Sequence, residues 1–220
     1  MKSLGSKLLS YVSGTLVEKR SSAISGELEV WFQNGRYVLH SPDANYSFDT
    51  LHRVFQKAFK KLSVRKLNPE RVLILGFGAG SIAGILYDEM KLKPRITGIE
   101  LDPEVVSLAK KYFQLERFTH LDLVITDAAQ FVQSFNLTVN LVVSDVFIDK
   151  IIPEHVLSEA YIQNLVRLTA KGGLGVINMI TETKAQRGQL ARIKDYIQQA
   201  GATTEFFPVS SINTIVSWKK

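Results

Sequence analysis

The run Val72-Leu73-Ile74-Leu75, followed at once by Gly76-Phe77-Gly78-Ala79-Gly80-Ser81, constrains the fold of this chain more than any other feature. Consecutive apolar residues bounded by glycine read as a strand buried on both faces, which occurs where helices cover a parallel sheet. The glycines permit a sharp turn, and apolar positions then recur at helical spacing, so the segment reads strand, glycine turn, helix. Downstream, short β-branched runs alternate with helical stretches, the pattern of parallel βαβ construction. Strands are expected at Val72–Phe77, Arg95–Leu101, Leu121–Thr126, Leu141–Phe147 and Leu174–Ile180. Helices are expected near Ile82–Met90, Glu104–Tyr112, Ala128–Phe135 and Glu154–Ala170, the last stopped by Lys171-Gly172-Gly173. After a helix over Ala185–Ala200, strands at Thr203–Val209 and Asn213–Trp218 are separated only by Ser210-Ser211-Ile212. So short a link implies an antiparallel hairpin at the sheet edge, because a parallel crossover needs about a dozen residues or more.

Upstream, Leu28-Glu29-Val30-Trp31-Phe32, Asn34-Gly35 and Tyr37-Val38-Leu39 form a hairpin signal, since Asn-Gly supplies the positive φ angles of a tight turn. From Phe48 to Leu62 the residues Leu51, Val54, Phe55, Ala58, Phe59 and Leu62 recur at helical spacing. The basic residues Arg53, Lys57, Lys60, Lys61, Arg65 and Lys66 fall mainly on the other side, as a solvated face does. The chain therefore divides into a small N-terminal hairpin and lead-in helix, residues 1–62, and a main α/β domain, residues 63–220. A length of 220 residues with 45% hydrophobic and 22% charged content suits one core with such an appendage. No apolar run reaches the roughly 18 to 20 residues of a bilayer span and no leader peptide is evident, so a cytoplasmic protein without membrane attachment is expected.

Zero cysteines exclude thiolate nucleophiles and cysteine-bound metals. His40, His52, His120 and His155 are scattered without partners at metal spacing, so no metal site is expected. The absence of a Gly-x-Ser-x-Gly elbow and of a P-loop lysine argues against the hydrolase and P-loop classes.

The candidate chemistry lies at the strand ends. A glycine turn lets backbone N–H groups approach a nucleotide or a carboxylate closely. Glu100 ends the second strand about twenty residues later, where an acid accepts ribose hydroxyls. Asp102 precedes Pro103 and suits the helix cap. Asp127 follows the third strand, placed either to accept an adenine amino group or to cap a helix, and Asp145 follows the fourth. In open α/β sheets the ligand crevice lies at the carboxyl ends of the strands, so these acids converge with Gly76–Gly80 on one rim. Together they favour an adenosyl-sulfonium ligand over a nicotinamide dinucleotide, which leaves Asp127 and the closing hairpin unexplained. A non-catalytic module that holds RNA on the Arg53–Lys66 face is the alternative of a different class, and no RNA-binding motif accompanies it. His155 is weighed as a base against a surface helix residue. Tyr46, Tyr161 and Trp31 are weighed as pocket walls against core packing.

With these residues in place, the chain resembles the class I S-adenosylmethionine-dependent methyltransferase fold and, within it, the spermidine synthase family of polyamine aminopropyltransferases. The resemblance runs through Asn45-Tyr46-Ser47-Phe48, Val72–Ser81, Gly98–Asp102, Asp127–Phe131, Ser144-Asp145, Glu159-Ala160-Tyr161 and Lys171-Gly172-Gly173. It implies a Rossmann-like seven-stranded methyltransferase sheet whose last strand is antiparallel. It also implies S-adenosylmethionine or its decarboxylated form as cofactor, a small-molecule acceptor and a homodimer. By the same resemblance Glu100 and Leu101 hold the ribose, and Asp127 and Ala128 the adenine. Gly76, Gly78 and Gly80 take the sulfonium-bearing chain, and Asp145 faces the reacting centre.

Three departures stand out. Ala79 replaces an aspartate of the family's glycine loop. Asp145-Val146-Phe147-Ile148-Asp149 replaces Asp-Ser-Ser-Asp-Pro, and Phe48-Asp49-Thr50 replaces Tyr-Gln/His-Glu. Because a desolvated dication needs several carboxylates around it, these changes point to methyl transfer first and aminopropyl transfer second.

Overall fold

The computed structural model describes residues 14–41, 50–148 and 151–220. Tyr46, Phe48, Asp49 and Asp149, and the side chain of Thr50, lie outside the described set. The chain forms a seven-stranded sheet, and a separate three-stranded antiparallel sheet stands at its N-terminal side. The large sheet contains β4 (Arg71–Leu75), β5 (Arg95–Glu100), β6 (Leu121–Ile125), β7 (Val139–Ser144), β8 (Thr169–Ile180), β9 (Thr203–Pro208) and β10 (Asn213–Lys219), in the order β6-β5-β4-β7-β8-β10-β9. Neighbours from β6 to β8 pair in parallel, whereas β10 runs antiparallel to both β8 and β9. The closing hairpin is thus as expected, with β10 inserted between β8 and the edge strand β9.

Alternation along the buried strands explains the three layers. Val72 and Ile74 of β4 face one hydrophobic cluster and Leu73 and Leu75 the other. The first face packs α1 (Thr50–Lys61) through Val54, Phe55, Ala58 and Phe59, and α4 (Pro103–Tyr112) through Val105, Leu108 and Ala109. Between these elements in sequence lie the short α2 (Val64–Leu67) and α3 (Ser81–Gly84). The second face packs α5 (Ala128–Ser134) through Val132, α6 (Glu159–Leu168) through Ile162 and Leu165, and α7 (Lys184–Gln199) through Ile193 and Ile197. Fully burying each of these side chains larger than alanine contributes about 1.5 to 3 kcal/mol, so the two clusters hold the sheet from both sides.

The basic face of α1 is more engaged than a solvated helix requires. Lys57 Nζ donates to Val209 O at 3.0 Å, and Lys61 pairs with Glu205 at 3.5 Å and lies over the Phe207 ring. Arg65 donates to Glu89 O. The two lysines fasten α1 to the sheet edge, and Arg65 fastens α2 to the turn after α3.

The small sheet holds β1 (Thr15–Ser22), β2 (Gly26–Gln33) and β3 (Arg36–His40). Asn34 and Gly35 take φ of 50° and 76° between β2 and β3, as the Asn-Gly signal requires. Strand β1 was not anticipated, because its sequence TLVEKRSS lacks apolar alternation and its side chains work through charge. Glu18 accepts from Lys111 at 2.6 Å and from Tyr112, and it pairs with Arg20, contacts that hold its carboxyl down to about 2. Arg20 in turn reaches Glu104 and Ser107 on α4.

Two segments depart from the sequence reading. The helix after Ser81 loosens into a wider, i to i+5 turn over Ile85–Glu89. Lys171-Gly172-Gly173 is no helix stop: α6 ends at Leu168, and Gly172, with φ of 75°, sits within β8 where the pairing with β7 shifts from Val139/Thr169 to Leu141/Leu174. Its N–H donates to Lys220 O, which ties the chain end to this bulge.

Gly175 shows how tightly β8 and β10 are matched. It lies opposite Trp218, and a Cβ there would stand 1.9 Å from the indole ring. Trp218 is buried, and its Nε1 donates to Thr169 Oγ1 at 3.0 Å. Gly175→Ala is expected to lower unfolding free energy by about 3 kcal/mol in urea denaturation, the upper end of overpacking costs. An unchanged midpoint would show that the indole is not seated on that glycine.

Candidate functional site

The carboxyl ends of β4, β5, β6 and β7 form one rim, and backbone hydrogen bonds set its shape. Gly76 and Phe77 donate to Ile99 O at 2.9 and 2.8 Å, so the glycine turn hangs from the end of β5. Asp145 N donates to Leu75 O at 2.8 Å, which draws the end of β7 against the same turn. Gly76, Gly78 and Gly80 all have positive φ, of 79°, 55° and 85°. At Gly76 a Cβ would stand 2.2 Å from the Asp145 carbonyl oxygen, so no side chain fits while β4 and β7 keep this spacing.

Glu100 sits beneath the turn and is almost fully buried. Its Oε2 accepts from Gly78 N at 2.8 Å, and its Oε1 accepts from Leu101 N at 2.9 Å and Asp102 N at 3.1 Å. Burial raises its pKa, and the amide hydrogen bonds oppose that rise. A carboxylate has about four accepting positions, so the backbone uses all but one. Asp102 caps α4, accepting from Glu104 N at 2.8 Å, while its other oxygen accepts from Ser22 Oγ at the end of β1. The three-stranded sheet thereby reaches this corner of the rim.

Asp127 caps α5 by accepting from Gln130 N at 2.9 Å, and its Oδ2 pairs with His155 Nε2 at 2.9 Å. His155 belongs to a short 3₁₀ turn, Glu154–Leu157, and is half exposed. Ala128 begins α5, where a helix leaves its first N–H groups without intrahelical partners.

Asp145 caps no helix among the described residues. It is buried at the end of β7, its Oδ1 accepting from Asn178 Nδ2 of β8 at 3.0 Å. Burial lifts its pKa from an ordinary 3.8 to about 7, the Asn178 bond opposes the lift, and the charge of Glu100 adds to it. Beyond Asp145 the chain is apolar: Val146, Phe147 and Ile148 are half-buried, and Ile148 bridges Ile151, which is 70% exposed. Ala79 is buried.

The structure thus gathers Gly76–Gly80, Glu100, Leu101, Asp127, Ala128 and Asp145 around one rim. Tyr161 is a core residue whose hydroxyl bonds Ser144 Oγ at 2.9 Å, and Trp31 lies on the small sheet, bonded to Glu29. Sequence reasoning missed two groups. His52 is buried and links α1 to Ser81 at 2.8 Å and to Glu89, holding the helix that follows the glycine turn. Asn178 stands behind Asp145, and its only sequence signal was a lone amide inside the apolar run Gly175–Ile180. Among the described residues no cluster of histidines and acids is placed to hold a metal, and no helix is long and apolar enough to cross a membrane.

Comparison with known proteins places this rim in context. The profile of the spermine/spermidine synthase domain matches residues 52–218. The chain belongs to this family. A polyamine aminopropyltransferase of Vibrio vulnificus is 27% identical over 119 residues, which is 53% of this chain and 40% of that protein. An eEF1A lysine and N-terminal methyltransferase homolog of Drosophila pseudoobscura is 29% identical over 87 residues, covering 37% of this chain and 13% of the relative. The chain therefore spans well under half the length of these curated relatives.

Among solved structures, a probable spermidine synthase from Corynebacterium glutamicum superposes with a TM-score of 0.71 at 19% identity, covering 93% of this chain and 79% of that one. A spermidine synthase in complex with the transition state analogue AdoDATO also gives 0.71, at 15% identity over 93% of this chain and 74% of that one. Human methyltransferase-like protein 13 in complex with SAH gives 0.64 at 15% identity, over 78% and 82% of the two chains. At these identities the structures establish the α/β fold that the sequence pattern implied.

The buried acid makes stability pH-dependent. The folded chain holds the Asp145 proton more tightly than the unfolded chain. That contribution is whole below about pH 4 and is lost as pH rises through about 7. Asp145→Asn keeps an oxygen for Asn178 and has no charge to bury. It should melt close to wild type near pH 4 and several degrees higher near pH 8 in calorimetry. An equal difference at both pH values would contradict a titrating buried Asp145.

Proposed function

We propose that the rim binds an adenosyl-sulfonium donor and that the protein transfers the donor's aminopropyl group to an amine acceptor. The observation that carries this reading is Asp145, a buried acid with a pKa raised to about 7, at the end of β7 beside the glycine turn. In a chain of net charge +6, the rim is nevertheless lined by the carboxylates Glu100, Asp127 and Asp145. Such a surface favours cations, and both a sulfonium donor and a polyamine acceptor are cationic.

The donor set fits the group. Glu100 Oε2 keeps one accepting position for a ribose hydroxyl, with Leu101 beside it, while Oε1 is fully used by Leu101 N and Asp102 N. This is less than a free carboxylate offers, and it orients the single remaining position. Asp127 and Ala128 form the adenine end, where an adenine amino group competes with His155 for Asp127 Oδ2. Gly76, Gly78 and Gly80 keep the backbone bare along the sulfonium-bearing chain. When bound, the donor supplies a carbon activated by the sulfonium; Asp145 takes the proton of the acceptor ammonium so that the amine nitrogen can attack.

Sequence reasoning ranked methyl transfer first, whereas family membership and the Vibrio relative support aminopropyl transfer more strongly. Methyl transfer remains the second reading, favoured by Ala79, by the apolar Val146–Ile148 and by the eEF1A methyltransferase relative.

Calorimetric titration with S-adenosylmethionine and with its decarboxylated form, followed by turnover with putrescine, tests the choice. The expected result is tighter binding of the decarboxylated donor and formation of spermidine. Asp145→Asn should lower kcat by about a hundredfold or more while donor affinity stays near wild type. Preference for S-adenosylmethionine with no aminopropyl product would overturn the reading in favour of methyl transfer.

A further inference from the structure

Behind Asp145 runs a train of polar side chains through an otherwise apolar part of the sheet. Ser210 Oγ donates to Asn213 Oδ1 at 2.9 Å, Asn213 Nδ2 to Asn178 Oδ1 at 3.0 Å, and Asn178 Nδ2 to Asp145 Oδ1 at 3.0 Å. Asn178 and Asn213 are 2% and 7% exposed, so neither amide has water as a substitute partner. Ser210 Oγ itself accepts from the backbone N–H groups of Ile212 and Asn213, which leaves its hydroxyl proton for Asn213.

The train has one direction. Each amide presents its oxygen to the donor before it and its NH₂ to the acceptor after it, so turning one amide opposes like groups at both ends. Its end point is a single oxygen of Asp145. The other oxygen, Oδ2, has no hydrogen bond among the described residues. Since no fully enclosed side-chain oxygen there lacks a partner, Oδ2 holds a share of the small exposed surface of Asp145.

We propose that Asn178, locked by Asn213 and Ser210, is a positioning residue that fixes Oδ1 of Asp145 as an acceptor and so assigns the exchange of the substrate proton to Oδ2. This rests on the reading of Asp145 given above. The step balances without another reactant. The acceptor ammonium gives its proton to Oδ2, the freed nitrogen pair forms the C–N bond, and the C–S bond breaks with its electrons returning to sulfur. The product leaves as a secondary ammonium, and Oδ2 returns its proton to solvent. Among the titratable side chains of the described residues, Glu100 is the one whose charge bears on Asp145, and Glu100 lies on β5, outside the train.

The test uses the full chain labelled with ¹³C-carboxyl aspartate, the Asp145 resonance being assigned by its loss in Asp145→Asn. In Asn178→Leu the Asp145 titration should move up by about one pH unit, because a hydrogen bond to the charged form is lost. The acid limb of kcat/KM should follow it, with donor affinity within about twofold of wild type. Asn213→Leu provides a second arm. Without the Asn213 amide, Asn178 Oδ1 has no donor and the Asn178 side chain is free to turn its NH₂ away from Asp145, so the titration should again move up, by less than in Asn178→Leu. An unchanged Asp145 titration in both variants overturns the proposal. A shifted titration with an unmoved kcat/KM profile supports the positioning role and overturns instead the assignment of Asp145 to the reaction.

Discussion

The carboxylate of Glu100 accepts hydrogen bonds from Gly78 in one loop and from Leu101 and Asp102 in another, and the geometry of the crevice depends on that convergence. An acid so deeply buried is costly unless donors surround it, and three amides supply them. The main chain around it reinforces the tie: Gly76 and Phe77 donate to Ile99 O, and Thr126 donates to Glu100 O. The ends of β4, β5 and β6 are therefore fixed through one residue. Asp145 is then set by the Leu75 carbonyl and by the bare Cα of Gly76.

This construction explains how a basic protein keeps an acidic cleft. The positive charge is used elsewhere: on α1, where Lys57 and Lys61 secure the sheet edge, on α2, where Arg65 reaches the carbonyl of Glu89, and on the small sheet, where Arg20 joins Glu18 and α4. Ser22 then carries the small sheet to Asp102, next to Glu100. The N-terminal sheet is thereby coupled to the rim through a buried hydrogen bond.

What the sequence disclosed follows from where its information is local. Val72–Leu75 and Leu141–Ser144 were legible as strands because both faces are buried, and Asp102 and Asp127 as caps because capping is decided within a few residues. Strand β1 was hidden because Glu18 and Arg20 find their partners on α4, more than eighty positions away in sequence. Gly172 resembled a helix stop because a positive φ serves a bulge equally well. Glu100 reads as a site acid from its place at a strand end, but its occupation by three amides is a property of loops meeting in space. The train from Ser210 to Asp145 needs β8 and β10 to be neighbours, and that order appears in no local pattern.

Donor binding is proposed across the ends of β4, β5 and β7. Amide hydrogen–deuterium exchange with saturating decarboxylated S-adenosylmethionine measures it directly. A bound donor is expected to slow exchange in residues 76–81, 99–103 and 144–148 together, since the loops share the Glu100 and Leu75 anchors. Unchanged exchange in all three segments, with the donor in large excess, would contradict it.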